Sequence, residues 1–228
     1  DAASEHLMVL RGTLPEPRQL PRLLREASSY LLEAARRERE LFAAFFEERL
    51  PQEALEGLLA QLGRQFYDSL QGAVEACDQL DALREAAECL QSEFLEPNAH
   101  AAARGGAAGA VLATVVRLLS TARECVLGVA RRVLEADVRR HRPSIEDPER
   151  WRTVKHPTVD RTLAILAEAY HVLPEEQFEP LAKEGVEACV SSLSAASAVV
   201  ESPMDGRLFL IRQLLVLREQ LAAFEHDH

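Results

Sequence analysis

Aromatic residues are scarce in this sequence, at only 5% of its 228 residues. Alanine, leucine, glutamate and arginine dominate instead, and this mixture favours helices while supplying little β-branched material for strands. Hydrophobic residues reach 47%, which is ample for a core. The composition therefore predicts an all-α protein without a sheet.

The sequence also lacks an excess of positive charge, long apolar runs and a secretory signal. The net charge of −11 argues against a sequence-blind nucleic-acid binder, because phosphate contacts need clustered Lys and Arg. The longest uncharged runs, residues 105–116 and 188–200, fall far short of the ~20 residues that cross a bilayer. The first residues have neither the basic nor the apolar region of a signal peptide. We expect a soluble protein, and the missing initiator methionine suggests a piece of a longer one.

Cysteine is used sparingly, and its spacing excludes the common metal and redox motifs. Cys77, Cys89, Cys125 and Cys189 form no CxxC pair and no zinc spacing. If Cys77 and Cys89 share one helix, they are separated by roughly 18 Å, too far for a disulfide. The pattern predicts buried, reduced thiols in a cytosolic protein.

The sequence contains no GxxxxGK[ST] loop, no glycine fingerprint after a strand, no GxSxG and no Asp-rich cluster. One metal pattern does occur twice, since Glu168 and His171, like Glu225 and His228, have the Glu-x-x-His spacing of di-iron bundles. Such a site needs two further inward glutamates, which nothing marks. Solvated side chains near helix ends are the simpler interpretation. We predict no catalytic, cofactor-binding or metal-binding residue and no cofactor, with an all-α metal enzyme as the alternative.

Helical spacing of apolar residues, interrupted by proline and glycine, organises the chain into successive helices. Predicted segments are 4–11, 21–50, 52–80, 81–95, about 111–140, 157–170, 175–200 and 204–224. Residues 142–157 carry three prolines and no apolar period, which is typical of a linker. The predicted organisation is a helical bundle over 1–147, a linker at 148–156 and three helices over 157–228. An alternative is one continuous rod.

Residues 204–220, MDGRLFLIRQLLVLREQ, form an unusually apolar helix that three arginines interrupt. Plotted at 100° per residue, the apolar side chains form three stripes separated by thin polar seams. In order of width, the stripes hold Leu210, Leu214, Leu217, Leu221 and Phe224; Leu208, Ile211 and Leu215; and Phe209 and Val216. The seams hold Arg207 and Arg218, Arg212 and Glu219, and Gln213 and Gln220. Three stripes predict a central bundle helix with Leu214 and Leu217 in the core.

Two aromatic features allow a structural and a partner-binding interpretation. Trp151 lies in the linker, where it either covers a bundle end, which we favour, or anchors a partner. The run FFEERL from Phe45 resembles a docking motif. Phe42 and Phe45 nevertheless fit the core face of the helix, and only Phe46 has no predicted place in the core.

The last third of the chain resembles a known family. Residues 156–197, HPTVDRTLAILAEAYHVLPEEQFEPLAKEGVEACVSSLSAAS, and 204–224, MDGRLFLIRQLLVLREQLAAF, closely resemble the third subunit of the conserved oligomeric Golgi complex. DGRLFLIRQLLVLREQ is the most specific part. Weaker similarity covers 81–95 and 121–143 in the right order, so that most of 78–228 is included. The linker is shorter than the acidic, Ser-rich insertion usual in the family, and the chain ends where relatives continue.

The resemblance implies a helical-rod fragment of a multisubunit tethering complex, the class that includes the exocyst. Such subunits hold retrograde vesicles at Golgi cisternae and engage SNAREs, Rab GTPases and coat proteins besides the other subunits. They are peripheral on the cytoplasmic face of the Golgi, with a cytosolic pool, and none is known as an enzyme. We therefore expect a protein-protein interaction scaffold whose partner-binding residues the sequence does not identify; an unrelated helical adaptor is the remaining alternative.

Overall fold

The computed structural model describes residues 16–46, 52–100, 106–141 and 155–225. These residues are 89% helical and include no strand, which confirms the predicted all-α class. The described helices are α1 (Leu20–Phe46, after a 3-10 turn at Pro17–Gln19), α2 (Gln52–Glu75), α3 (Leu80–Glu88, continued by a π-helix at Cys89–Leu95), α4 (Gly106–Val133, continued by a π-helix at Leu134–Arg139), α5 (Pro157–Tyr170), α6 (Glu175–Ala198) and α7 (Pro203–Leu221, followed by a 3-10 turn at Ala222–Glu225).

The predicted boundaries agree best where proline marks the start of a helix. The bounds of α5 match the prediction, with Pro157 in the first turn and the His156 ring capping it by accepting from the Thr158 N–H. In contrast, the predicted helix 52–80 ends early, because residues 76–79 form a turn that buries Cys77. The predicted helix at 4–11, most of the linker, and Trp151 lie outside the described residues.

The chain divides into two compact units, residues 1–126 and 127–228. The described residues of the first unit are α1, α2, α3 with its π-helix, and α4 up to Val126. There α1 packs on α3, and Arg25 pairs with Glu93 at 2.6 Å. Tyr67 on α2 bonds Thr121 on α4 at 2.9 Å. The predicted domain boundary at 148–156 remains a prediction.

The second unit contains the end of α4 with its π-helix, followed by α5, α6 and α7. Helix α6 is its centre, since it packs against α5, α7 and the π-helix at Leu134–Arg139. Leu166 and Leu181 are fully buried between these helices. At the surface, Arg131 pairs with Glu184 and Arg161 with Asp137, each at 2.8 Å.

Only one face of α7 is buried among the described residues, so the prediction of a central helix is wrong for this part of the chain. The buried residues are Gly206, Phe209, Gln213 and Leu217. Leu214, which was predicted to lie in the core, is only partly buried, whereas Leu217 is buried as predicted. Periodicity identifies apolar stripes correctly, but it does not tell which stripe faces a neighbour.

Gln213, which the helical plot places in a thin polar seam, is completely buried. Its Oε1 accepts a hydrogen bond from the backbone N–H of His156 at 3.0 Å. The imidazole of His156 is buried as well, with its Nδ1 2.7 Å from the Thr158 hydroxyl. A buried amide is tolerated when it is hydrogen-bonded, and this bond ties the start of α5 to the middle of α7.

Gly206 lies where α7 comes very close to the last turn of α6. A Cβ atom at this position would lie 2.5 Å from the Ser197 carbonyl oxygen. This oxygen belongs to the backbone, so it cannot rotate away as a side chain does. The glycine therefore permits the close approach of the two helices.

We predict that Gly206→Ala destabilises the protein by ~1–3 kcal/mol, because the added methyl overpacks the contact between α6 and α7. Gly128→Ala is the matched control in the same unit, since a Cβ there would meet nothing within 4 Å. On an exposed helix position, this change should stabilise by ~0.5–1 kcal/mol. Urea denaturation of both variants measures the difference. Equal effects would contradict the close approach at Gly206.

We also predict that the free energy of unfolding decreases when the pH is lowered, because of His156. Burial, and secondarily His141, lowers the pKa of His156 to about 4, below the ~6.5 of an unfolded histidine. The unfolded state therefore binds the proton first, and stability is complete above pH ~6.5 and is lost as pH falls towards 4, with a slope of at most ~1.4 kcal/mol per pH unit.

Thermal melts of His156→Asn between pH 7 and 5 test this expectation. The variant keeps a capping acceptor and removes the titration, so its melting temperature should fall less steeply than that of the wild type. His171→Asn replaces an exposed histidine and should behave as the wild type. Parallel pH profiles for all three proteins would exclude a neutral, buried His156.

Candidate partner-binding surface

Four large apolar side chains on α7 are exposed at the surface of the second unit. Met204 is 67% exposed, Leu208 57%, Ile211 55% and Leu215 50%. Their spacing of four, three and four residues keeps them on one face over about three turns. Three of them form the second stripe identified in the sequence. We call these four residues the α7 stripe.

The spacing of the α7 stripe is that of a coiled-coil seam. Positions 204, 208, 211 and 215 correspond to alternating d and a positions of a heptad, the pattern in which each side chain inserts between residues of a facing helix. A helix that merely borders solvent does not need this order. Contiguous exposed apolar surface of this kind marks interaction sites in soluble proteins.

Exposed charges border the α7 stripe on both sides. Arg207 and Arg218 lie along one edge, and Arg212 and Glu219 lie along the other. Within the part of the chain that the structure describes, none of these three arginines has a carboxylate oxygen within 4.0 Å, unlike Arg131 on α4. The edges are therefore available for ion pairs with a partner.

A groove between α6 and α7 adjoins the stripe. It encloses about 950 Å³ and is lined by Val186 and Val190 of α6 and by Leu214, Leu215 and Leu217 of α7, among other residues. Leu215 belongs both to the groove and to the α7 stripe, so the two apolar surfaces are continuous. Arg218 and Glu219 form the polar rim. We call the stripe and the groove together the α7 surface.

A second exposed apolar patch lies at the end of α1. Leu41 is 50% exposed, Phe45 76% and Phe46 42%. The prediction that Phe45 belongs to a core face is thus wrong, whereas the prediction of a spare Phe46 agrees with its exposure. Phe46 stacks at a tilt on Phe42, with ring centroids 5.1 Å apart. The patch lies at the end of the described part of α1.

Of the two Glu-x-x-His pairs, the structure describes both members only for Glu168 and His171. Glu168 is partly buried on α5, while His171 is exposed just beyond the end of that helix. No group of three or more His, Cys, Asp or Glu side chains able to hold a metal ion occurs among residues 16–46, 52–100, 106–141 and 155–225. Glu225 is the last described residue, and its partner His228 lies outside that range.

Cys77, Cys89 and Cys189 are buried free thiols, which agrees with the prediction of buried, reduced side chains. Cys125 is partly buried. Burial raises the pKa of the Cys89 thiol to about 11, so the reactive thiolate is scarce near neutral pH. None of the described helices is both long and apolar enough to cross a bilayer.

Comparison with known proteins places these features in a family. The chain matches the family described as conserved oligomeric Golgi complex subunit 3, C-terminal, over residues 6–228. It is 27% identical over 267 residues to the subunit 3 of this complex from Drosophila melanogaster, covering 90% of the chain and 29% of that protein. The subunits 3 from Mus musculus and Homo sapiens are each 43% identical over 75 residues, covering 32% of the chain and 9% of each relative.

No solved structure matches the chain. The chain spans less than a third of the length of the curated relatives it matches. The sequence resemblance concentrated on residues 156–224, and the family match extends it to nearly the whole chain. On this evidence, the chain belongs to the C-terminal family of conserved oligomeric Golgi complex subunit 3.

Proposed function

We propose that this chain is a protein-protein interaction scaffold within a subunit of a Golgi vesicle-tethering complex, acting in retrograde intra-Golgi transport. The family match over residues 6–228 supports this proposal most directly. The α7 surface is consistent with it, since apolar helical faces are what a scaffold offers to its partners. We propose no catalytic step, and the metal-enzyme alternative has no observation in its favour.

The physical task of a tether is to keep two bodies within reach of each other. Once one end is bound, the second binding event becomes intramolecular, and its rate and occupancy depend on the local effective concentration. Stiff helices suit this task because they transmit position over distance at 1.5 Å per residue. No pocket chemistry is required, since the function is spread over surfaces.

The proposed partners are first the other subunits of the complex. SNAREs, Rab GTPases and vesicle coat proteins follow from the resemblance to the family, as does a peripheral location on the cytoplasmic face of the Golgi with a cytosolic pool. Attachment in this scheme depends on protein partners and not on a lipid-embedded segment of the described helices.

A chimeric subunit tests the proposal. The chimera is the Drosophila subunit 3 in which the segment that is similar to this chain is replaced by this chain. In Drosophila cells depleted of their own subunit 3, we expect this chimera to restore the retention of Golgi-resident enzymes. We expect it to co-purify with the other subunits at near wild-type stoichiometry. The measurements are enzyme localisation by microscopy and subunit ratios in the purified complex.

An unrelated helical bundle of similar length, placed at the same junctions, is the control for simple spacing. It should fail to restore enzyme retention. A stably expressed chimera that neither joins the complex nor restores retention would overturn the proposed function, and equal rescue by the unrelated bundle would show that no specific surface of this chain is used.

A further inference from the structure

We propose that the α7 surface docks an amphipathic α-helix whose apolar stripe is bordered by acidic residues, and that this helix belongs to another subunit of the tethering complex. The inference rests on the proposed function and adds to it the surface and the chemistry of the partner. Its three supports are the heptad spacing of the stripe, the continuous groove and the three arginines that have no ion-pair partner among the described residues.

The shape of the surface favours a helix over other partners. Met204, Leu208, Ile211 and Leu215 repeat at the spacing that receives the side chains of a helix packed nearly parallel to α7. The groove beside them is open along α6 and α7, so a helix can lie along it and contact both. A strand would instead need an unpaired sheet edge, and the described residues contain none.

The charges define the partner's flanks. Arg207 occupies a g position next to Leu208, and Arg212 occupies an e position next to Ile211, where residues meet the flanks of a facing helix. Arg218 lies one heptad beyond Ile211, on the rim of the groove. Carboxylates opposite these guanidinium groups would form the ion pairs that α7 lacks within the described chain.

A second copy of α7 does not supply those carboxylates to Arg207. In a parallel pair, g residues face e residues of the next heptad, so that Arg207 would meet Arg212 of the other copy. In an antiparallel pair, g faces g and e faces e, so Arg212 would meet Asp205 of the other copy while Arg207 would meet Leu214. Self-association thus leaves Arg207 without a carboxylate in either orientation, whereas a different helix with acidic residues on both flanks can pair with Arg207 and Arg212 together.

Two designed peptides of four heptads test the partner chemistry. Both carry Ile and Leu at a and d, with Glu at every e and g position in one peptide and Lys in the other. Binding to the purified 228-residue chain is measured by fluorescence anisotropy at low salt. We expect at least tenfold tighter binding of the acidic peptide and a clear weakening of this binding in 0.5 M salt. Salt screens the ion pairs, because the Debye length is roughly 10 Å at 0.1 M and roughly 3 Å at 1 M ionic strength.

Variants locate the binding. Leu208→Ser with Ile211→Ser should abolish binding, and the exposed positions leave the melting temperature nearly unchanged. Arg207→Glu with Arg218→Glu should reverse the preference towards the basic peptide. Leu41→Ser is the matched control, because Leu41 on α1 is as exposed as Leu215 but lies in the other unit. Binding that survives the double serine variant, or equal binding of both peptides, would refute the proposal.

The source of the helix is tested in the Drosophila chimera. Oxidative footprinting should find Met204 reactive in the isolated chimera and protected after the other subunits are added. Protection already present in the isolated chimera would mean that the same subunit covers the surface, and loss of protection on dilution of the chain alone would indicate a second copy. Either result overturns the proposal.

The same chimera separates this inference from the proposed function. If the chimera restores Golgi enzyme retention and Leu208→Ser with Ile211→Ser does so equally, the proposed function holds and the docking inference fails. If the unmutated chimera is stably expressed but neither joins the complex nor restores retention, the proposed function fails whatever the peptides do.

Discussion

The hydrogen bond from the His156 backbone N–H to the Gln213 amide oxygen decides which side of α7 faces inward. A buried amide that loses its partner costs ~1–3 kcal/mol, so α7 cannot rotate about its axis without losing this bond. The close approach at Gly206 and the buried Leu217 fix the same face. With that face turned towards α6, the α7 stripe has no position available except the outside.

The sequence predicted the helices well because helix starts, stops and periods are local properties. Pro157 marks the start of α5, and apolar residues at threes and fours mark its course. The prediction that Leu214 lies in the core was wrong because burial depends on contacts between residues that are distant in the sequence. Counting apolar residues favours the stripe of Leu210 and Leu214, whereas the structure buries Gln213, whose partner lies 57 residues away in the sequence. A long-range hydrogen bond leaves no periodic signal.

Part of the candidate surface can be predicted from the sequence. Leu208, Ile211 and Leu215 form one of the predicted apolar stripes, and their heptad spacing is a property of the sequence itself. Exposure, however, is a property of the packed unit, so the sequence alone could not separate a core stripe from a docking stripe. The missing ion pairs of Arg207 and Arg212 likewise became apparent only once the positions of all described carboxylates were known.

The energetics explain why the stripe needs both its groove and its charges. Its four side chains are already between a third and a half covered, so burying their remaining exposed surface under a partner helix contributes only about 1 kcal/mol per residue. Association itself costs ~4–15 kcal/mol, which the stripe alone does not offset. The groove adds apolar contact, and arginines are enriched among residues that dominate binding energy. A surface of this kind binds weakly by itself and firmly inside a multisubunit complex, where other contacts raise the effective concentration of the partner helix.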